Sequence, residues 1–305
     1  MDPDLLNYLS SYDLIFLQET WLFNSLHIPG FTSYPLPAFK IHPKGRPCVG
    51  LCCLIWHSLS HLLTLQPTRS PYFQALLLST IDSQILILNI YIPPPSSKAP
   101  PLWDELHHFT SDFLNLNPSV FILFLGDFNT RLGPDNSALV QYMNWDPEDS
   151  IPPILQRPRL SQDCSFNPHT SKLVDLLMEF NPVVLSGSSD HDSPSKFTHF
   201  SYRGASVLDY TLSSPEALPQ ILDFYVDLRT ESDHLPTITL LSLTLPVESD
   251  DSSPIPSLPP PPCRLRWTHN SEESFRAWTR KNDVVDLKQT LSKTNSPHRA
   301  VLAYE

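Results

Sequence analysis

Polar side chains that could do chemistry follow apolar, strand-like runs in this 305-residue chain. The clearest example is residues 121–133, F-I-L-F-L-G-D-F-N-T-R-L-G, in which an apolar run stops at Gly126 and Asp127 and Asn129 come next. Glu19 follows another short apolar run. Groups that handle ligands commonly lie at strand ends, but Asp and Asn are also common in ordinary turns. The pattern therefore indicates a candidate site and leaves a plain strand-to-loop turn as the alternative.

Three further segments place polar groups at the ends or rims of predicted strands. Tyr91 lies in N-I-Y-I-P-P, Asp209 lies among apolar neighbours in S-V-L-D-Y, and residues 232–234 read S-D-H. Such groups supply oxygen ligands for Mg²⁺, a base for water and donors for a phosphate, which metal-assisted hydrolysis of a phosphodiester requires. Each has a simpler alternative: Tyr91 as an ordinary strand aromatic, Asp209 as the partner of an Arg or Lys, and His234 as a loop residue.

The elements that must position these groups alternate between helical and strand patterns. Apolar residues recur with the period of a helix in residues 102–116 and 171–180, and Pro3 to Leu9 is predicted to be a short helix. The predicted strands cover residues 14–17, 49–55, 73–81, 85–92, 120–125, 183–185, 197–202, 207–212, 224–228 and 237–245. Because helices and strands interleave while hairpins are frequent, we predict an α/β fold of two mixed β-sheets packed face to face with helices outside, a four-layer sandwich.

Composition restricts the class of protein. The formal net charge is -12, which argues against a broad basic surface for nucleic acid but allows an acidic enzyme that holds a metal ion against a phosphate. No apolar stretch reaches the length of about 18 residues that a membrane span needs, and we expect no signal peptide at the acidic N-terminus. The five cysteines contain no CxxC pair, so we expect neither a zinc ribbon nor a disulfide framework, and an intracellular protein.

The distribution of Pro and Ser predicts the domain organisation. Residues 1–245 are expected to form the α/β domain, 246–262 a semi-rigid Pro/Ser-rich linker, and 263–305 a short, partly helical tail leading toward an absent downstream region. Residues 134–170, rich in Pro, Asp and Ser, are predicted to form a long surface excursion. All of the candidate site residues lie in the first region.

The ordered motifs LQET, NIYIPP, GDFN, LDY and SDH resemble those of the endonuclease/exonuclease/phosphatase superfamily, which includes the abasic-site nucleases. The segments GDFNTRLG, FTHFSYRGASVLDY and ESDHLP are most similar to the endonuclease domain of LINE-type (non-LTR) retrotransposons. The resemblance covers roughly residues 5–245. Five motifs in the right order are a far more specific signal than any one of them.

The resemblance implies a Mg²⁺-dependent endonuclease that nicks DNA, with Mn²⁺ as a substitute ion. Glu19 would be the principal metal ligand, and Asp233 would assist at the metal directly or through water. Asp127 would orient and deprotonate the attacking water, while Asn129 would steady that water or the scissile phosphate. Sparse carboxylate ligation fits Mg²⁺, because this ion commonly keeps several of its waters.

The resemblance also implies how the phosphate is held. His234 would donate to a phosphate oxygen, with Asp209 fixing the tautomer of its ring, and Tyr91 would contact the phosphate. Further substrate contacts are implied for Thr198, Arg203 and Ser232.

The chain departs from the superfamily at its start. The superfamily opens with a strand that carries an Asn in a W-N-x-N-G-like segment, whereas this chain starts at the helix that follows it. We therefore expect an N-terminal strand to be missing, a sheet edge to be exposed, and the metal or phosphate to be held less well. A truncated copy or an incomplete gene model, with impaired activity, would explain this departure.

The leading functional hypothesis is a DNA-nicking endonuclease whose product carries a 3′-hydroxyl able to prime reverse transcription. The alternatives are a phosphatase or phosphodiesterase of the same fold acting on lipid or inositol phosphates, and a catalytically impaired relic. The expected partners are DNA and, in a full-length element, a reverse transcriptase whose motifs this sequence lacks; no membrane is expected. Nuclear action is implied by the resemblance alone.

Overall fold

A computed structural model describes residues 3–40, 42–95, 102–133, 159–229 and 231–245. The predicted linker 246–262, the predicted tail 263–305 and residues 134–158 of the predicted excursion lie outside these ranges. The chain has two compact units, and the unit Leu14–Val247 contains all of the described strands. The first helix, α1 (Pro3–Leu9), belongs to the other unit and agrees with the predicted helix.

The elements of the larger unit agree in type with most of the predicted ones. The strands are β1 Leu14–Leu17, β2 Phe31–Leu36, β3 Leu51–Trp56, β4 Leu63–Gln66, β5 Phe73–Ser79, β6 Gln84–Tyr91, β7 Phe121–Asp127, β8 Val183–Val184, β9 His199–Ser201, β10 Gly204–Ser206, β11 Asp209–Ser213, β12 Ile221–Val226 and β13 Thr237–Leu241. Within the described residues of this unit, the helices are α2 Leu102–Leu116, α3 Thr170–Phe180 and the 3₁₀ helices His57–Leu62 and Pro215–Gln220. None of the helices in the described ranges has the length and hydropathy of a bilayer-spanning segment.

A six-stranded sheet in the order β4-β5-β6-β7-β11-β8 forms the centre of the unit. Its pair β6–β7 is parallel and its other pairs are antiparallel. Helix α2 makes the crossover between β6 and β7, because two parallel neighbours cannot be joined by a tight turn. The remaining strands form the antiparallel sheets β1-β3-β2 and β12-β13 and the small hairpin β9-β10.

Alternate residues of the central sheet face two different layers. On β6, Leu86 and Leu88 are fully buried in a core with residues of α2 and α3. Ile85 and Ile87 point the other way, into a second core that includes Ile55 of β3. This alternation is the two-residue period of a strand buried on both faces. The predicted α/β sandwich is therefore confirmed, with mixed pairing in the six-stranded sheet and antiparallel pairing in the opposing strands.

Candidate active site

Three of the candidate residues lie side by side on three neighbouring strands. In the register of the central sheet, Asp127 of β7 pairs with Tyr91 of β6 and with Asp209 of β11. Side chains two residues apart on a strand share a face, so Tyr91 lies on the same face as Ile87, which packs toward β3. Parallel and antiparallel pairing together thus bring one phenol and two carboxylates into one row.

Gly126 lies inside β7 rather than at its end. The predicted strand stopped at this glycine, but β7 continues to Asp127. Gly126 has a φ of 128°, and a Cβ at this position would lie 2.1 Å from the backbone oxygen of Ile90 on β6. Only glycine allows this close approach of the two strands that carry Tyr91 and Asp127.

Asp127 and Asn129 are fixed by each other. The carboxylate of Asp127 accepts hydrogen bonds from the backbone N–H of Asn129 (2.8 Å) and from its Nδ2 (2.8 Å), while Nδ2 also donates to the carbonyl of Ile92 (2.9 Å). Asn129 has a φ of 45°, in the left-handed region that Asn tolerates better than most residues. Both donors of its amide are therefore committed, which leaves Oδ1 as the group that can face a ligand.

Glu19 joins this row from the opposing layer. It follows β1, has a φ of 50°, and its carboxylate accepts a hydrogen bond from the hydroxyl of Tyr91. Burial and this hydrogen bond raise the pKa of Tyr91 well above its ordinary value, so its hydroxyl stays protonated and donates. The predicted contact of Tyr91 with a phosphate stays a prediction, since in this structure its proton serves Glu19.

A buried amide network anchors the end of β1 to the central sheet. Asn89 of β6 is fully buried and accepts a hydrogen bond from Nε2 of Gln18 (2.6 Å). Its Nδ2 lies 3.2 Å from Oε1 of Gln74, whose own Nε2 donates to the carbonyl of Tyr34 (2.9 Å). Because Gln18 precedes Glu19, the network fixes the position from which Glu19 reaches Tyr91.

Asp209 and His234 form a close pair. Nδ1 of His234 lies 2.9 Å and 3.1 Å from the two carboxylate oxygens of Asp209. The partner of Asp209 is therefore His234 and not an Arg or Lys, which was the alternative prediction. Burial lowers the pKa of His234, but the hydrogen bond to Asp209 and the charges of Asp209, Asp127 and Asp233 outweigh it and raise the pKa to about 9. His234 is therefore protonated at neutral pH.

The charges around Asp127 favour a cation. Burial and the charge of Asp209 raise the pKa of Asp127 well above its ordinary value, against the lowering effect of His234, and Glu19 adds to the rise. Burial is the larger cause of this rise and the nearby carboxylates add to it, so a divalent cation at this position would favour the ionised form of Asp127. The oxygen donors present therefore fit a hard cation such as Mg²⁺.

The ligand geometry differs from the predicted metal set. Ligand atoms of Asp127, Asp209 and His234 lie within 4.8 Å of one another, and the predicted ligands Glu19 and Asp233 are not part of this group. Since Nδ1 of His234 is held by Asp209 and the ring is protonated at neutral pH, the carboxylates are the better ligands in this group. Glu19 enters the site through Tyr91 and through its charge on Asp127.

Asp233 and Ser232 lie beside His234 in an exposed turn. The hydroxyl of Ser232 accepts the backbone N–H of His234 (3.1 Å), and the side chain of Asp233 is 71% exposed. The sequence reasoning missed His199, whose ring centroid lies 4.7 Å from that of His234 and whose Nε2 lies 3.9 Å from Asp233. The motif F-T-H-F-S gave no signal for this contact, because it depends on the strand bridge between His199 and His234.

Thr198 and Arg203, predicted to contact the substrate, occupy different settings. Thr198 is fully buried, and its hydroxyl accepts the backbone N–H groups of Leu208 (3.0 Å) and Asp209 (3.1 Å). Its hydroxyl therefore holds Asp209 in place, and the predicted contact of Thr198 with a substrate stays a prediction. Arg203 is exposed at the turn of the β9–β10 hairpin, where its Nε donates to the hydroxyl of Tyr202 (2.7 Å).

Known structures share this arrangement of sheets and helices, whereas no protein-family model and no curated protein match the sequence. The AP endonuclease LMAP of Leishmania major superposes with a TM-score of 0.56 at 14% identity, over 77% of this chain and 80% of that one. The endonuclease domain of TRAS1, a telomere-specific non-LTR retrotransposon, gives a TM-score of 0.51 at 16% identity, over 78% and 90%. The chain has the endonuclease/exonuclease/phosphatase fold.

A 3′-5′ exonuclease of Neisseria meningitidis, NExo, has the same fold, with a TM-score of 0.50 at 18% identity over 78% of this chain and 93% of that one. These likenesses confirm the structural side of the resemblance that the motifs indicated. At such low identities the endonuclease/exonuclease/phosphatase fold is what the likeness establishes, and the chemistry of this chain rests on its own residues.

Proposed function

We propose that this chain is a divalent-metal-dependent phosphodiester hydrolase that nicks DNA. The observation that carries the proposal is the convergence of Glu19, Tyr91, Asp127, Asp209 and His234 at one edge of the sandwich, although these residues come from five separate segments of the chain. A buried carboxylate with a raised pKa beside a protonated imidazole, as in Asp127 and His234, is typical of catalytic sites.

In the proposed mechanism, Asp127 takes the proton of the attacking water. Its raised pKa makes it a stronger base than an exposed carboxylate, and the two hydrogen bonds from Asn129 hold its orientation. Asn129 Oδ1 steadies the water or the phosphate. Asp127 is 4% exposed, so its negative charge acts in a setting where screening by water is weak.

His234 stabilises the phosphate in the same mechanism. With Nδ1 directed at Asp209, Nε2 of the protonated ring donates to a phosphate oxygen, and the pair keeps the ring oriented. Tyr91 holds Glu19 in place and lies close enough to contact the same phosphate once a substrate competes for its proton.

We propose Mg²⁺ as the cofactor, with Mn²⁺ as a substitute, held by Glu19 as its principal ligand and assisted by Asp233. When bound, such an ion polarises the phosphate and lowers the pKa of its water. The carboxylate of Glu19 reaches the row that contains the buried carboxylates of Asp127 and Asp209, and such oxygen donors suit a hard cation, which supports this choice.

We propose DNA as the substrate and the endonuclease of a LINE-type element as the biological context. The GDFNTRLG and ESDHLP segments support this, as does the shared fold of the TRAS1 endonuclease domain. A Neisseria 3′ phosphatase of the same fold has been solved with a product DNA hairpin, which supports nucleic acid as a ligand of such a site. A reverse transcriptase partner and nuclear action belong to the same proposal.

A plasmid-nicking assay tests the proposed function. The 305-residue protein is expected to convert supercoiled plasmid to the open-circular form with Mg²⁺ and to be inactive in EDTA, and Asp127→Ala is expected to lower the rate about 100-fold or more. Hydrolysis of inositol phosphates without plasmid nicking would support the alternative phosphatase or phosphodiesterase. Inactivity on both substrates would support the catalytically impaired relic. Nicking that persists in EDTA or in Asp127→Ala would rule out the proposed chemistry.

A further inference from the structure

An aromatic segment lies exposed directly after Glu19. Trp21, Leu22 and Phe23 are 56%, 41% and 49% exposed, although they are consecutive large apolar residues. Single exposed apolar side chains are ordinary on protein surfaces, but a contiguous group is characteristic of a binding surface.

The backbone holds this segment in place. Trp21 has a φ of 53°, its N–H donates to the carbonyl of Val49 (3.1 Å), and the carbonyl of Leu22 accepts the N–H of Ala38 (2.8 Å). A positive φ in a non-glycine residue persists only where the surroundings impose it. The surroundings therefore hold the segment in a conformation that keeps these side chains in solvent.

Cations lie next to the aromatic segment. Nζ of Lys40 lies 5.8 Å from the ring centroid of Phe23, and Lys40, Lys44 and Arg46 are all exposed. These three residues are a quarter of the twelve Lys and Arg residues in 1–262, where 27 Asp and Glu residues give an acidic chain. Their concentration within residues 40–46 provides a local attraction for phosphates.

This surface is continuous with the candidate active site. Val49, whose carbonyl holds Trp21, packs in one cluster with Leu51 and Tyr91. Tyr91 in turn donates to Glu19, which lies two residues before Trp21. The exposed segment therefore begins next to the candidate active site.

We propose that one surface, here called the aromatic–basic surface, binds unpaired nucleotides next to the scissile phosphate. It consists of Trp21, Leu22, Phe23, Lys40, Lys44 and Arg46. The inference rests on the proposed nuclease function and adds the form of the substrate. Trp21 and Phe23 stack on bases, while Lys40, Lys44 and Arg46 contact phosphates. Stacking requires a free base face, which an unpaired strand offers and the interior of a duplex does not.

Binding to two matched DNAs tests the inference. The full-length Asp127→Asn variant, which is expected to bind without cutting, is titrated with Mg²⁺ present onto a duplex with a four-nucleotide bubble and onto the fully paired duplex. Adding Trp21→Ala is expected to weaken bubble binding about tenfold and duplex binding less than about twofold, because stacking is lost only where bases are free.

Control variants separate stacking from other effects. Trp21→Phe keeps an aromatic face, so its affinity for the bubble DNA is expected to stay within about threefold of the affinity of the variant that retains Trp21. That result would show that the loss in Trp21→Ala comes from the missing aromatic face and not from unfolding. Lys44→Ala is expected to weaken binding of both DNAs alike, because phosphates are present in both. Met178→Ala, an equally exposed apolar site on α3, is expected to change neither.

The outcomes distinguish this inference from the proposed function. An unchanged affinity in Trp21→Ala, or an equal loss on both DNAs, overturns the aromatic–basic surface while the wild-type protein still nicks plasmid. A wild-type protein that neither nicks plasmid nor binds either DNA overturns the proposed function together with this inference.

Discussion

At the scale of single residues, the protonation of His234 connects the structure to the chemistry. Its ring donates through Nδ1 to Asp209, and the resulting pKa of about 9 keeps a positive charge beside the buried Asp127. The pair thus acts as one unit in which Asp209 makes the largest contribution to the positive charge of His234, the residue that we propose donates to a phosphate. Fixing a His by a carboxylate is a common way to set both tautomer and charge.

Removing the carboxylate of Asp209 tests this dependence. In Asp209→Asn the pKa of His234 is expected to fall below its wild-type value of about 9, since burial is then opposed only by the charges of Asp127 and Asp233. The ring resonances of His234, followed by NMR against pH in EDTA, measure the value. A pKa that stays near 9 in the variant would show that Asp209 is not the cause.

The raised pKa of His234 in the wild-type protein also affects the stability of the fold. Because the folded pKa is above the ordinary 6.5, the pair stabilises the fold fully below pH 6.5, and this contribution is lost as the pH rises through about 9. The residue pattern alone left open whether Asp209 pairs with an Arg or Lys, whereas the resemblance implied its pair with His234. The two residues lie 25 positions apart, and only the folded chain brings them together.

At the scale of elements, the site depends on how closely β6 and β7 approach. Tyr91 and Asp127 are cross-strand partners, and the row that they form with Asp209 exists only if Gly126 allows the backbone of Ile90 to come near. Sequence reasoning placed Gly126 at a strand exit, since a glycine after an apolar run is the usual mark of a turn. Its positive φ inside a paired strand has no signature in a single sequence.

Two glycine substitutions compare this close approach with an open position. Gly126 and Gly204 have φ values of 128° and 133°, but a Cβ at Gly204 meets no atom within 4 Å. Gly126→Ala is expected to lose about 1–3 kcal/mol more free energy of unfolding than Gly204→Ala, because its Cβ must displace the backbone of β6. Chemical denaturation measures both, and equal losses would contradict the packing explanation.

The other elements show why the sequence predicted some strands and missed others. Buried runs such as β5, β6 and β7 were predicted because both of their faces are apolar, whereas β2 was missed because it contains Pro35. Proline is tolerated there because β2 is an edge strand in the order β1-β3-β2. A single sequence does not distinguish an edge strand that contains proline from a loop.

At the scale of the whole molecule, function depends on assembling distant segments at one edge. Glu19 comes from one layer of the sandwich and Asp127 from the central sheet, and the buried amide of Asn89 joins the two layers through Gln18. The sequence predicted the fold and most of the site because its motifs lie at strand ends. It did not predict Asn89 or His199, because their roles arise from contacts across the layers.

The most direct test of this assembly is the rate of plasmid nicking as a function of Mg²⁺ concentration in three variants. Glu19→Gln is expected to need at least about tenfold more Mg²⁺ for the half-maximal rate, because it removes the carboxylate that we propose as the principal ligand of the ion. His234→Ala is expected to lower the maximal rate about 100-fold without changing the Mg²⁺ requirement. Glu216→Gln, exposed on the 3₁₀ helix Pro215–Gln220, is the control and is expected to match wild type. Nicking without a metal, or an unchanged Mg²⁺ requirement in Glu19→Gln, would contradict the assignment of this edge as a metal-dependent nuclease site.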